Sequence, residues 1–272
     1  MKKYVLIPNS FGAQERDPKI RALLIGQLAR VATMFRIAKI IIYPEPKYRT
    51  ERTHTRELVA LLRYANTPQW LRKYIFKREP ELSYAGVLTP LQAPHHPELE
   101  DKVEHRFGYV KEVCGHSVVD VGLKDLCTCN QRLSPGKVML FRIKGKECEP
   151  MTKEALQNYF GYEVELFSEP LREVLKKLKA QNVLILGTSK YGTPIEKIFS
   201  ALSAQLKNRN KVAIAFGSYA HGFLDWFSKE ECQELFDLII NVQSTQGTKT
   251  IRTEEALFLS LEIIDLAKKM AA

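Results

Sequence analysis

Three times in the last third of this 272-residue chain, an apolar run breaks off into a polar, glycine-containing loop. The runs end at Leu186-Gly187-Thr188-Ser189, at Phe216-Gly217-Ser218 and at Asn241, from which a polar loop extends to Thr250. In open α/β sheets, ligands bind just beyond the carboxyl ends of the strands. Glycine there lets backbone amides and carbonyls approach a ligand closely. One such loop is an ordinary turn, but three in succession point to a small-molecule site. The phosphate loop GxxxxGK[ST] is absent, and the GSYAHG run at 217–222 does not fit GxGxxG. Both absences argue against an NTPase or a standard dinucleotide enzyme. No Ser/His/Asp arrangement stands out.

The cysteines are the other chemistry-bearing group. There are five (Cys114, Cys127, Cys129, Cys148 and Cys232), an odd number that fits free thiols in a reducing compartment. Four lie close in sequence with His116 nearby, which raises a zinc site built on Cys114, His116, Cys127 and Cys129. Cys127-Thr128-Cys129 lacks the usual two-residue gap of a zinc knuckle, so no metal is expected.

The elements that must position these loops alternate between strand and helix. Residues 3–8, KYVLIP, read as a strand. Asp17-Pro18 opens a helix as N-cap and first helical residue, with Ile20, Leu24, Leu28, Val31 and Phe35 at helical spacing. The β-branched run at 39–43, KIIIY, reads as a buried strand. This strand–helix–strand unit starts a parallel sheet. From 44 to 81 the chain is basic and helical in pattern, with Thr67-Pro68 starting a second helix. Between 84 and 166, short β-rich runs (FGYVKEV, HSVVDVGL, KVMLFRI, YEVELF) punctuated by proline and glycine suggest a small antiparallel barrel of the oligonucleotide-binding type. The α/β rhythm returns at 168. Thr193-Pro194-Ile195-Glu196 and Ser228 to Glu231 read as capping boxes, and Thr253 opens a final helix with Glu254 and Glu255 in its first turn.

A formal net charge of +10 favours polyanionic partners, nucleic acid first and anionic membrane second. Lys47, Arg49, Arg52, Arg56, Arg63, Arg72, Lys73, Lys77 and Arg78 concentrate that charge, although a solvated helix face accounts for them equally well. The interleaved Tyr48, Tyr64, Trp70, Tyr74 and Phe76 read as core rather than as stacking platforms. No stretch approaches the roughly 18 apolar residues a membrane helix needs. The N-terminal apolar run is too short for a signal-peptide core. An intracellular, cytoplasmic protein without membrane attachment is expected.

The segment FDLIINVQSTQGTKTIRTEEALFLSLEII resembles the knotted C-terminal motif of the SPOUT superfamily of RNA methyltransferases. GQLARVATMFRIAKIIIY, LRKYIFKREPELSYAGVLTPLQAPHHP and the GTSKYG and AFGSYAHGF loops are similar to its archaeal and eukaryotic RNA (uridine-N3) methyltransferase branch. The resemblance spans nearly the whole chain. It implies an α/β trefoil-knot domain with a parallel sheet, formed by residues 1–82 and 167–272, interrupted by an OB-like RNA-binding barrel at 83–166. It also implies a homodimer that uses S-adenosylmethionine as cofactor and RNA as substrate, ribosomal RNA above others. By motif position, Gly187, Thr188 and Tyr191 belong to the first cofactor loop and Gly217 and Ser218 to the second. Asn241, Gln246, Gly247, Thr248 and Thr250 belong to the knot loop. Some relatives carry arginine where this chain has Tyr191.

Methyl transfer needs the nucleophile in line with the sulfonium methyl, so most of the catalysis is positioning. For uracil N3, the proton must leave or the ring anion must be stabilised. Arg30 and Arg36, in a helix whose relatives supply arginines, are the candidate catalytic cations. His221 is a possible proton acceptor, and His95-His96 either contact RNA or cap the barrel junction. Two rivals remain at this level. A non-catalytic RNA-binding or ribosome-assembly factor would need no intact cofactor loops, and a metal enzyme would carry stoichiometric zinc.

Overall fold

The computed structural model describes residues 1–46, 52–113, 116–156 and 158–271. Lys47, Tyr48, Arg49 and Cys114 lie outside the described residues. The chain opens with β1 (Lys2–Pro8), α1 (Pro18–Met34) and β2 (Ile37–Tyr43). Asp17 caps α1 as the sequence predicts, its carboxylate accepting from the Lys19 amide at 2.8 Å. The buried face of α1 comprises Ala22, Leu24, Ile25, Leu28, Ala29 and Ala32, with Ile20 left 47% exposed. Small residues at 22, 29 and 32 let the helix lie close on the sheet, which rotates Ile20 off the contact.

Two helices follow, α2 (Arg52–Asn66) and α3 (Gln69–Ile75). α2 buries Leu58, Leu61, Leu62 and Ala65 and leaves Arg52, Arg56 and Arg63 in solvent. Thr67 does not cap α3. Its hydroxyl donates back to the Arg63 carbonyl at 2.8 Å, closing α2 instead. The aromatic side chains here meet protein: Tyr64 packs on Phe76, and Tyr74 stacks on Tyr109 at 4.1 Å.

A closed barrel then forms from β3 (His105–Val113), β4 (His116–Asp120), β5 (Cys127–Cys129), β6 (Val138–Lys144) and β7 (Glu147–Met151). Its order is β3-β4-β5-β7-β6, with β5 and β7 parallel and the other pairs antiparallel. Val110, Val119, Val121, Phe141 and three cysteines fill the interior.

The run at 162–167, expected in the barrel, goes elsewhere. It supplies β8 (Glu163–Leu166), which pairs in parallel with β2. A four-residue β run carries no mark of the sheet it joins. Here the choice is reinforced by charge, because Lys39 on β2 reaches Glu165 at 2.6 Å and Glu163 at 3.9 Å. The chain continues through α4 (Leu171–Ala180), β9 (Leu184–Pro194), α5 (Ile195–Lys207), β10 (Lys211–Ala215), α6 (Phe223–Trp226), α7 (Lys229–Leu235), β11 (Leu238–Asn241) and α8 (Thr253–Met270). The six sheet strands lie in the order β11-β9-β10-β1-β2-β8, every neighbouring pair parallel.

Strand side chains alternate between two cores, as the period of two requires. Val5, Ile7, Ile40, Ile42, Leu184 and Leu186 face a core shared with α1, α2, α5 and α8. Leu6, Ile41, Tyr43, Ile185, Ala213 and Ala215 face the opposite core, under α4, α6 and α7. The Ser228–Glu231 capping box forms, with bonds of 3.2 and 2.8 Å. The one expected at Thr193 does not, because Thr193 and Pro194 stay in the sheet opposite Ile240 and Asn241. Glu196 accepts the Ser244 hydroxyl instead.

Candidate active site

The strand order makes β11, β9 and β10 neighbours, so the three glycine-containing loops emerge side by side. β9 leaves its ladder after Gly187, which pairs with Ile239, and rejoins at Thr193, which pairs with the very next residue, Ile240. Residues 188–192 therefore bulge out of the ladder as a long loop within β9. Gly192 stands where that loop returns. A Cβ there would lie 2.7 Å from the Ile240 carbonyl carbon and 2.8 Å from the Ile239 oxygen, backbone atoms that cannot give way.

Cross-links tie the loops into one surface. The Thr188 hydroxyl donates to the Ala215 carbonyl of β10 at 3.2 Å. The Asn241 amide donates to the Lys190 carbonyl at 2.9 Å, while its oxygen accepts from the Gln243 amide. Ser218 and His221 close a tight turn, each backbone amide bonding to the other residue. Gln246 donates to the Thr248 carbonyl within the loop between β11 and α8, which also carries Gly247 and Thr250. Tyr191 is 73% exposed, with the Lys190 ammonium over its ring. Gly187, Thr188, Tyr191, Gly217, Ser218 and Asn241 are thus gathered at one end of the sheet, beside the loop carrying Gln246 to Thr250.

Arg30 and Arg36 are not brought there. α1 runs back against the strands, so its last turns lie at their amino ends. A seven-residue strand, about 20 Å long, separates those ends from the loops. Arg30 donates to the carbonyls of Pro90 and Leu91 at 2.7 and 2.9 Å. Arg36, at φ 55°, makes the left-handed turn between α1 and β2.

His95 and His96 are buried near the barrel junction. Their Nε2 atoms lie 3.0 Å from the Asn66 side-chain oxygen and 3.1 Å from its carbonyl. Burial, reinforced by neighbouring positive groups, pushes His95 down to about 2. Burial likewise takes His96 to about 4. Both are neutral rings inside the protein. Cys127, Cys129 and Cys148 belong to the barrel core, and burial, then Cys129 and Cys127, push the Cys148 thiol up to about 12. Among the described residues, no cluster of three or more His, Cys, Asp or Glu side chains is arranged to hold a metal.

Sequence reasoning missed Ser10 and Glu45. Glu45, just past β2, is buried. Its backbone amide donates to the Asn9 side chain at 3.0 Å, and its carboxylate accepts the Ser10 hydroxyl. Its other oxygen lies 3.4 Å from Nδ1 of His221. The Tyr43 hydroxyl donates to the Phe216 carbonyl, pinning the end of β2 to the end of β10. The connections from β1 and β10 leave in opposite directions across the sheet, so this pair of strands is the topological switch point where open α/β sheets form their crevice. Polar residues directly after apolar strands, Asn9-Ser10 and Glu45, were the available signal. Two clefts lie elsewhere: one of about 550 Å³ is lined by Arg56, Arg63, Phe76 and Val164, and one of about 280 Å³ lies on the barrel beside Leu123 and Lys146. They are surface grooves, whereas the loop site is marked by converging backbone groups.

A doubly wound α/β sheet with a barrel and a polar crevice at its switch point defines a ligand-binding protein. The family model described as "Putative RNA methyltransferase" matches residues 2–264, and the chain belongs to that family. The mouse 28S rRNA (uridine-N(3))-methyltransferase is 31% identical over 294 residues, covering 94% of this chain and 74% of the mouse protein. Its human counterpart is also 31% identical, covering 94% and 76%. Among solved structures, the SpoU methyltransferase AviRb from Streptomyces viridochromogenes, in complex with AdoMet, aligns at 10% identity with a TM-score of 0.39. That alignment covers 97% of this chain but only 58% of the solved chain.

Proposed function

We propose that this protein transfers a methyl group from S-adenosylmethionine to N3 of a uridine in ribosomal RNA. The observation that carries the reading is the convergence of three cross-linked loops on adjacent strand ends, in a chain of an RNA methyltransferase family. The residues present suit that cofactor. Gly217 and Gly247 with Thr188 and Ser218 are small and carry no charge, so backbone amides and carbonyls are left to meet a flat adenine. When bound, the cofactor supplies an electrophilic sulfonium methyl. The chain's share is to hold the base in line with it and manage the proton on N3. The substrate assignment follows the printed names of the mouse and human relatives.

In this reading the ends of the chain, 1–82 and 167–272, form a trefoil-knot catalytic domain that works as a homodimer in the cytoplasm. The insert lies within 83–166, with 163–166 returning to the sheet. Numbered from the barrel's first strand, its order is 1-2-3-5-4, which supports an oligonucleotide-binding barrel. Basic side chains would engage phosphates without choosing the base, and an unstacked nucleotide in a loop or single strand is the natural target.

The test is calorimetric titration of S-adenosylmethionine into wild type and Gly247→Trp. A Cβ at 247 meets nothing within 4 Å, so the bulky side chain enters open space without disturbing the fold. Saturable binding, lost in the variant, supports the proposal, and methylated uridines are then mapped on ribosomal RNA. A folded wild type that binds no cofactor, with or without RNA, leaves a non-catalytic RNA-binding factor.

A further inference from the structure

We infer that Glu45 and His221 form the proton-accepting pair of this site, Glu45 holding Nδ1 of His221 so that Nε2 takes the N3 proton of the uracil being methylated. The inference rests on the methyltransferase reading above.

An exposed ion pair on a protein surface means little, but this one is not of that kind. The Glu45 side chain is 3% exposed, and that of His221 is 49% exposed. A buried carboxylate is tolerated only when its oxygens find partners. Ser10 satisfies one oxygen and the imidazole faces the other, while Asn9 fixes the Glu45 backbone. The result is a carboxylate held inside the protein against a half-exposed ring.

A carboxylate at Nδ1 selects the tautomer in which Nδ1 carries the proton and Nε2 is a bare acceptor. The ring is also placed by its own backbone. His221 closes the turn with Ser218 of the second cofactor loop, so base and cofactor loop are one rigid piece. The pair sits at the switch point between β1 and β10, where substrate and cofactor must meet. The other ionisable groups around it are otherwise engaged. The Tyr43 phenol donates to the Phe216 carbonyl, and the Asp225 carboxylate accepts from the Gly222 amide. From α2, His54 lies 3.0 Å from the Phe11 carbonyl and 3.9 Å from Glu57.

The step balances as follows. The N3–H bond of uracil breaks and its proton passes to Nε2 of His221. The electron pair left on N3 forms the bond to the methyl carbon, while the pair of the breaking carbon–sulfur bond returns to sulfur. The imidazolium formed is stabilised by Glu45 and later gives its proton to solvent.

Two measurements test this. Long-range ¹H–¹⁵N spectra of the imidazole rings, with His221→Asn identifying the signal, read the tautomer without cofactor or RNA. The expected result is an Nδ1–H tautomer. An Nε2–H tautomer overturns the pairing. Methyl incorporation into an unmodified large-subunit ribosomal RNA transcript is the second. His221→Asn and Glu45→Gln should each lower kcat roughly 10²-fold, with calorimetric affinity for S-adenosylmethionine held within about 2-fold of wild type, as expected of groups that act on the proton. Wild-type turnover in His221→Asn, or a wild type that binds cofactor but methylates no uridine, overturns the inference. Failure of wild type to bind cofactor strikes the methyltransferase reading itself, while the spectra still report on the pair.

Discussion

Asn66 and His95 meet at 3.0 Å near the junction of sheet and barrel, and the same asparagine donates to the Tyr162 carbonyl at 2.8 Å. One side chain thus joins α2, the segment leading into the barrel and the segment leading out of it. Gly161, at φ +86°, packs so closely that a Cβ there would lie 2.7 Å from the Asn66 oxygen. Asn66→Ala strands these buried partners and should cost about 2–4 kcal/mol of stability, read from urea denaturation.

The buried histidines give this junction a pH dependence. Both rings are neutral when folded, with values of about 2 and about 4, against about 6.5 when unfolded. Below pH 6.5 the unfolded chain therefore binds protons that the folded chain refuses. The stability is complete above 6.5 and falls as pH drops, by about 1.4 kcal/mol per pH unit for each ring down to about pH 4. Urea midpoints at pH 7 and pH 5 should diverge accordingly, and less so in His96→Gln.

Asn241 holds the first loop through its bond to the Lys190 carbonyl. Asn241→Ala should weaken S-adenosylmethionine binding by roughly 10-fold, the worth of about one such bond. The melting temperature should move little, because Asn241 is the last residue of an edge strand. Calorimetry and thermal melts together check both halves.

Gly192→Ala should cost stability as well. The added methyl meets backbone of β11, so the re-entry of β9 must shift. A loss of about 2 kcal/mol or more is expected on thermal unfolding, with cofactor affinity falling as the loop loses its anchor.

The barrel thiols should be inert while the fold stands. Cys127, Cys129 and Cys148 are buried, and Cys148 is pushed up to about 12, so little reactive thiolate exists at neutral pH. Iodoacetamide labelling followed by mass spectrometry should leave them unmodified in native protein and modify them in urea.

Much of this architecture was legible because it depends on local chemistry. Asp17-Pro18 and Ser228–Glu231 announce helix starts through bonds made within three residues, and KIIIY can hardly be anything but a buried strand. The three loops at the strand ends were legible because strand end, glycine and polar run are contiguous. What escaped depends on distance. The Thr193 and Thr67 caps failed because sheet pairing and a neighbouring helix end claimed those residues first. Residues 163–166 were misplaced because parallel pairing with residues 39–42 leaves no trace in a short alternating run. Glu45 and His221 are separated by 176 positions, and only the strand order brings them together.

That strand order also bears on how the chain acquires its shape as it is made. β1 sits between β2 and β10, with Lys2 opposite Lys211. Lys3 reaches Asp265 across a sequence separation of 262 residues. At ribosomal rates of about 5–20 residues per second, the first strand waits on the order of 10–40 s for its second neighbour. Through that interval one edge of an apolar strand is open to the wrong partner. Closure of such non-local pairs is intrinsically slow. The barrel, whose strands all lie within 105–151, can close long before the site that its own chain ends must build.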